Sequence, residues 1–269
     1  STPFAVYGGV LATDVKSRES LRERVTQLAR SLQAEYVELR NAYEEQCVGF
    51  SRISRYVTFS QELGNSEARL MESVPRKTRY MVRKSLKETF ATVCRCDSTK
   101  AFEEIYSRNL RKLGTPCFPS RYFEKLLEHF KGMIDIREVK LGTETAAAVL
   151  SFYFRDRILP YYGASDPDYS NRAPNNFMYY DLMRWGMNNG YRVFDFGRSK
   201  KTGSGSYEFK AHWGMVEREL PYEILLIRRK ELPNYSPNNP AFDLPMKMWR
   251  RMPLCVTRAI GPMLVPLFP

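Results

Sequence analysis

Three apolar runs, Ile134 to Val139, Ala147 to Phe154 and Ile158 to Gly163, follow one another closely, the last two separated only by the polar turn Arg155, Asp156 and Arg157. Short runs rich in β-branched and aromatic residues, bounded by turn residues, read as strands. The spacing predicts a meander. Immediately afterwards Met178, Leu182 and Trp185 recur at helical spacing between Asn175 and Asn189, Gly190 closes that helix, and Tyr191 to Phe196 resumes a strand. Upstream, Phe102, Ile105, Tyr106, Leu110 and Leu113 mark a helix that Asp97 or Ser98 can cap and that Gly114 and Pro116 stop, with a second helix from about Ser120 to Phe130. Downstream, a last strand is expected near Glu219 to Ile227. This order demands an α/β fold.

The N-terminal part reads as an incomplete α/β unit. Thr2 to Leu11 suggests a strand and turn, Leu21, Val25, Leu28 and Leu32 recur at helical spacing, and Tyr36 to Arg40 and Tyr56 to Phe59 read as short strands. At 269 residues, with 43% hydrophobic and 13% aromatic side chains, the chain can build one large or two smaller cores. Lys and Arg number 42 against 30 Asp and Glu, a net charge of +12, so anionic partners are expected: nucleic acid, nucleotide-linked substrates or an acidic membrane surface. The odd set Cys47, Cys94, Cys96, Cys117 and Cys255 favours free thiols in a reducing cytoplasm, and with only His129 and His212 available no metal site is expected. No apolar run approaches the roughly 18 residues of a transmembrane helix.

Chemistry concentrates between Asp195 and Gly214, DFGRSKKTGSGSYEFKAHWG. An apolar strand ends at Gly197. Arg198, Lys200 and Lys201 then precede Gly203 and Gly205, where backbone amides can approach phosphate or carboxylate closely. Asp195 can accept a proton or orient Arg198, and a strand-end ion pair would look the same. A second basic region, Arg76 to Lys87, sets Arg76, Arg79, Arg83 and Lys87 on one helical face, widened by Lys77 and Lys84. It reads equally as an anion site or a solvated face. No GxSxG elbow, GxxxxGK loop, HExxH helix or complete dinucleotide fingerprint is present, so hydrolase, NTPase and dehydrogenase chemistries fall away.

The DFGRS strand end, the glycine-serine loop and Phe209, Lys210, Trp213 and Gly214 together resemble the C-terminal signature of FemAB-like transferases. VPRKTRYMVRKSLK, FEEIYSRNLRKLGTP, YYGAS and APNNFMYYDLMRWGMNNG fall in that family's order, so the resemblance covers nearly the whole chain. The nearest subgroup is the FemAB-like proteins associated with the PEP-CTERM/exosortase system. The family is built of tandem GNAT-like acyltransferase domains, each a mixed sheet flanked by helices, and the predicted element order agrees. The resemblance implies a partial, N-terminally truncated GNAT-like domain at 1–88 and a second at 89–231; the tail at 232–269, rich in Pro and Asn and then basic and apolar, is expected to dock back on the first domain or to rest peripherally on a membrane.

The resemblance also implies the chemistry: transfer of an acyl or aminoacyl group from an activated donor to an amine-bearing precursor in cell-envelope or exopolysaccharide biosynthesis. The cosubstrate would be acyl-CoA, acyl carrier protein or aminoacyl-tRNA, with no tightly bound cofactor. Lys210 would stabilise the oxyanion, and Asp195, water or the substrate would act as base. Phe209, Trp213, Arg198 and the glycine loop would flank the donor, KKTGSG approximating the pyrophosphate loop of coenzyme-A-dependent GNAT enzymes. Tyr162, Asn175 and Asn176 match cleft-lining positions, although helix-cap chemistry serves Asn175 equally well. A non-catalytic module binding an anionic glycan precursor or RNA is the alternative.

Overall fold

The computed structural model describes residues 5–42, 49–201, 205–232 and 242–267. In chain order the elements are α1 (Val15–Ser31), β1 (Tyr36–Arg40), β2 (Ser51–Glu62), α2 (Glu67–Ser73), α3 (Arg76–Ser85) and β3 (Phe90–Arg95). They continue with α4 (Lys100–Leu113), α5 (Ser120–His129), β4 (Ile134–Leu141), β5 (Glu144–Phe154), β6 (Arg157–Ser165) and α6 (Pro174–Asn188). The remainder are β7 (Val193–Asp195), β8 (Ser199–Lys200), α7 (Gly205–Ala211), β9 (Val216–Leu226), α8 (Asp243–Arg251) and α9 (Leu254–Leu264). Two units share these elements. The described residues of the first come from 5–59, 197–208 and 217–232, and those of the second from 60–196, 209–216 and 242–267.

In the first unit β1 runs antiparallel to β9, with Tyr36 opposite Leu226 and Arg40 opposite Tyr222, and β8 pairs with β2 at Tyr56 and Val57. Ile53, Leu220, Tyr222 and Ile224 form its core, with Tyr36 and Tyr56 against them. Asp14 caps α1 through the Ser17 amide. The helix forms where its periodicity predicts, but Leu21, Leu28 and Leu32 stay 45%, 49% and 70% exposed. The expected strand from Thr2 to Leu11 lies partly outside the described residues. From residue 5 onward it amounts to a single bridge between Gly8 and Arg40.

The second unit carries a mixed sheet. β3, β4, β5 and β6 pair antiparallel in succession, β7 joins β6 in parallel, and residues 60–62 of β2 run antiparallel to β7. The meander is therefore as predicted, whereas β7 is shorter than Tyr191 to Phe196. Because successive side chains alternate faces, Ile134, Ile136, Ala148, Leu150 and Tyr162 share one face, where Phe102 of α4 and Phe123 of α5 pack on them. On the other face Tyr153 lies 5.3 Å from Trp185 of α6, with Arg137 3.7 Å over the same indole. Helices thus flank both faces.

A charged network is sealed under α6. The Tyr153 phenol donates to Asp135 at 2.7 Å, and Arg137 donates to the same carboxylate at 3.1 Å, so neither buried charge lacks a counterpart. Gly114 closes α4 at φ 80°, as expected, but its N-cap is Thr99 rather than Asp97 or Ser98.

The C-terminal helices belong to the second unit, where they pack against α4. Trp249 is buried and donates its indole N–H to the Thr115 carbonyl at 3.1 Å, while Arg258 reaches Glu104 at 2.6 Å. A Cβ at Gly261 would stand 2.8 Å from the Cys117 sulfur, so only glycine lets α9 approach so closely. Among the described residues no helix is long and apolar enough to cross a membrane.

Candidate active site

The parallel pairing of β6 and β7 consists of Arg157 opposite Val193 and Ile158 opposite Phe194, yet β6 continues to Ser165. The two strands part where β7 ends. Aromatic rings fill the wedge. Tyr179 of α6 lies 5.0 Å from Phe196 and 5.6 Å from Phe209, and Trp213 stands 6.0 Å from Phe196 and 6.3 Å from Phe209. A Cβ at Gly163 would come within 2.6 Å of the Tyr179 hydroxyl, which explains a glycine inside YYGAS. Burial pushes the Tyr179 phenol up to about 12, so it keeps its proton at neutral pH.

Lys210 sits at this parting point. On α7, it donates from Nζ to the Phe196 carbonyl at 2.8 Å, and the ammonium lies 5.8 Å from the Phe196 ring centroid. A carbonyl and a ring face both stabilise a cation. The "FK" pair therefore works as a unit: Phe209 joins the aromatic wedge and Lys210 bonds the backbone beyond β7.

A cavity of about 700 Å³ opens beside the wedge in the second unit. Its α3 wall carries Arg76, Lys77, Thr78, Tyr80 and Met81, and Asn176 of α6 closes one side. Opposite them stand Phe209, His212 and Trp213. The two walls are fastened together. The Thr78 hydroxyl donates to the His212 carbonyl at 2.5 Å, and Gly214, at φ +69°, lies so close to Pro75 that a Cβ would stand 2.5 Å from its Cγ. The final glycine of the motif is thereby explained twice, by backbone conformation and by contact. Trp213 is 1% exposed, and its indole N–H is buried without a protein acceptor among the described residues. Buried donors are ordinarily paired, so this one is suited to a bound acceptor.

The structure gathers Arg76, Asn176, Phe209 and Trp213 on the cavity wall, with Lys210 adjoining. Other candidates of the second unit lie elsewhere. Arg79 folds back to donate to the Val74 and Glu72 carbonyls at 3.1 and 2.8 Å, tying α3 to the end of α2. Arg83 is exposed near the end of α3 and Lys87 lies beyond it, so one basic face does not serve one site.

Tyr162 is a correction. It belongs to the opposite side of the sheet, buried among Phe102, Phe123 and Ile136, with its hydroxyl 2.8 Å from that of Tyr122. Asn175 occupies the first turn of α6 without lining the cavity, and the N-cap is Ala173, so it takes neither role foreseen for it. Asp195, 2% exposed, pairs opposite Ser60 and is not on the cavity wall.

Arg198 belongs to the first unit, where its guanidinium lies 4.8 Å over Tyr56 and bonds the Tyr222 phenol. Gly203 lies outside the described residues. Gly205 begins α7, and no atom within 4 Å of a Cβ there requires glycine. Sequence reading missed Thr78, Tyr80, Met81, Tyr179 and His212, while Lys77, read as widening the basic stripe, joins Arg76 on the wall. For His212 the signal was available, since it lies inside FKAHWG, two residues from Lys210.

The acetyltransferase (GNAT) domain family matches residues 76–211, a span that runs from the first cavity residue through Lys210. Among solved structures, FemX superposes with a TM-score of 0.68 at 15% identity, covering 91% of this chain and 84% of that one. L-PGS from Bacillus licheniformis gives 0.58 at 15% identity, covering 92% and 79%. A tandem GNAT protein from the clavulanic acid biosynthesis pathway gives 0.52 at 9% identity, covering 82% and 73%. At these identities the likeness concerns the fold. No curated protein matches the chain.

Proposed function

The chain belongs to the acetyltransferase (GNAT) domain family and is accordingly an acyltransferase, and we propose that it is FemAB-like, moving an acyl or aminoacyl group from an activated donor to an amine in the cavity between α3 and α7. The observation that carries this reading is Lys210, whose ammonium is held at 2.8 Å on the Phe196 carbonyl where β6 and β7 part. The fold likeness to FemX and L-PGS supports an aminoacyl donor, and that to a tandem GNAT protein supports acyl-CoA. We read the two units as paired GNAT-like domains. The envelope or exopolysaccharide setting and the PEP-CTERM association rest on sequence resemblance alone, as do acyl carrier protein and tRNA as donors.

In the proposed mechanism the neutral amine attacks the donor carbonyl, and the carbonyl oxygen takes up the negative charge. An ammonium fixed before reaction stabilises that charge without reorganising; one such donor is commonly worth about 3–4 kcal/mol. The Trp213 indole N–H is a second donor. His212, on the cavity wall, takes the proton lost by the amine. The same proton passes from His212 to the leaving group, while Tyr179, kept protonated by burial, packs the aromatic wedge and moves no proton. Arg76 and Lys77 hold the anionic part of a substrate, and Asp195, buried at the end of β7, positions the strand and moves no proton.

Mass spectrometry of turnover tests this. The protein and its Lys210→Ala variant are supplied with acyl-CoA, acyl carrier protein and aminoacyl-tRNA donors beside an amine-bearing envelope extract. A Lys210-dependent mass increment on an amine is expected from one donor. Salt-sensitive binding of RNA or glycan without any increment would sink the transferase and favour the binding module.

A further inference from the structure

α9 buries Thr257 and Gly261, and Val265 continues that line one turn later. Two residues turn a helix by about 200°, so Cys255, Ala259 and Met263 point the opposite way, and all three are exposed. Ile260, Met263 and Leu267 are 38%, 76% and 62% exposed. The charged residue of α9, Arg258, is turned inward, donating to Glu104 at 2.6 Å and Ser107 at 2.9 Å. The outward face of α9 is therefore apolar and uncharged.

α8 extends this pattern. Leu244 and Met248, one turn apart, are 67% and 54% exposed. The charges here are nearly all of one sign: Lys247, Arg250 and Arg251 on α8 and Lys112 on α4, against Asp243 alone on α8.

We propose that the outward faces of α8 and α9 rest on the surface of an anionic lipid bilayer, with Leu244, Met248 and Met263 in the headgroup region and Lys247 and Arg251 against lipid phosphates. Two features favour lipid over protein. Among the described residues the strongly exposed apolar groups of this face are aliphatic, with no aromatic anchor, whereas protein interfaces concentrate energy in Trp, Tyr and Arg seated in pockets. Apolar side chains bordered by Lys and Arg are what an interfacial helix presents to anionic lipid. With 11 residues and Pro262 inside it, α9 lies along a surface and does not cross it. This docking is independent of which acyl group is transferred.

Flotation with vesicles tests it, using equal parts phosphatidylglycerol and phosphatidylcholine against phosphatidylcholine alone. The wild type should float with the anionic vesicles and not with the neutral ones. Met263→Glu and Lys247→Glu, both at exposed positions, should each weaken anionic partitioning about tenfold while leaving the circular dichroism spectrum and thermal midpoint unchanged. Failure of the wild type to float, equal flotation of Met263→Glu, or a lipid-free dimer abolished by Met263→Glu would each overturn the proposal.

Discussion

Gly214→Ala should cost far more stability than an exposed turn substitution has any right to, because two penalties coincide. Gly214 holds φ +69°, a left-handed conformation that costs an L-residue about 1 kcal/mol. The added Cβ would also stand 2.5 Å from Pro75 Cγ and 3.0 Å from Cδ. Proline's ring is closed onto the backbone and cannot swing aside, so the first turn of α3 must shift, and overpacking of this kind costs roughly 1–3 kcal/mol. Together the penalties predict a loss of about 2–4 kcal/mol.

Gly190→Ala is the internal control, since Gly190 has φ +83° but no atom within 4 Å of its Cβ position. It should show the conformational term alone, about 1 kcal/mol. Urea unfolding at constant m-value gives both numbers. Pro75→Ala in the Gly214→Ala background should recover part of the difference, as coupled neighbours do. If the two glycine variants agree within about 0.5 kcal/mol, inside ordinary non-additivity, the contact between Pro75 and Gly214 does not lock the cavity walls and this reasoning fails.

Tyr162→Phe should lose about 1 kcal/mol through the hydrogen bond to Tyr122 and leave transfer kinetics unchanged; a raised KM would return Tyr162 to the substrate. Alkaline titration offers a further check. Burial, the first cause in each case, pushes the phenols of Tyr179, Tyr180 and Tyr222 up to about 12. The unfolded value is about 10. These folded values are raised, so their stabilising contribution is complete below about pH 10 and is lost as pH rises toward 12. Urea midpoints should fall across that window together with the growth of tyrosinate absorbance, and a flat profile would contradict the burial.

Where local physics sets structure, the sequence was a good guide. The apolar runs around Ile136, Leu150 and Ile158 became an antiparallel meander, and Gly114 ended α4 because a left-handed residue is needed there. Tyr162 shows where such reading stops. A strand exposes two faces, and a family position lining a cleft looks identical in sequence to one packed on Phe102 and Phe123. The Arg76, Arg79, Arg83 stripe failed for a related reason. Helical phase puts the three on one face, but long side chains reach in different directions, and Arg79 found the carbonyls of α2. His212 could have been suspected from its place in FKAHWG, but not its partner: the Thr78 hydroxyl holds its carbonyl across 134 residues, a contact that spacing does not reveal.

The interleaving of the two units bears on how the protein is made. β1 is finished early in synthesis, yet its partner β9 lies beyond the entire meander, with Tyr36 waiting for Leu226. Pairings of such long sequence separation are slow because loop closure precedes any gain in contacts. The second unit can begin to consolidate on the ribosome from β3 through α6, but the first cannot complete its sheet until β9 has emerged. Its early strands meanwhile present open edges, the kind of surface that recruits chaperones or neighbouring chains. A protein so threaded resists division into independently expressed halves, and slowing translation before β9 should lower its soluble yield more than slowing it afterwards.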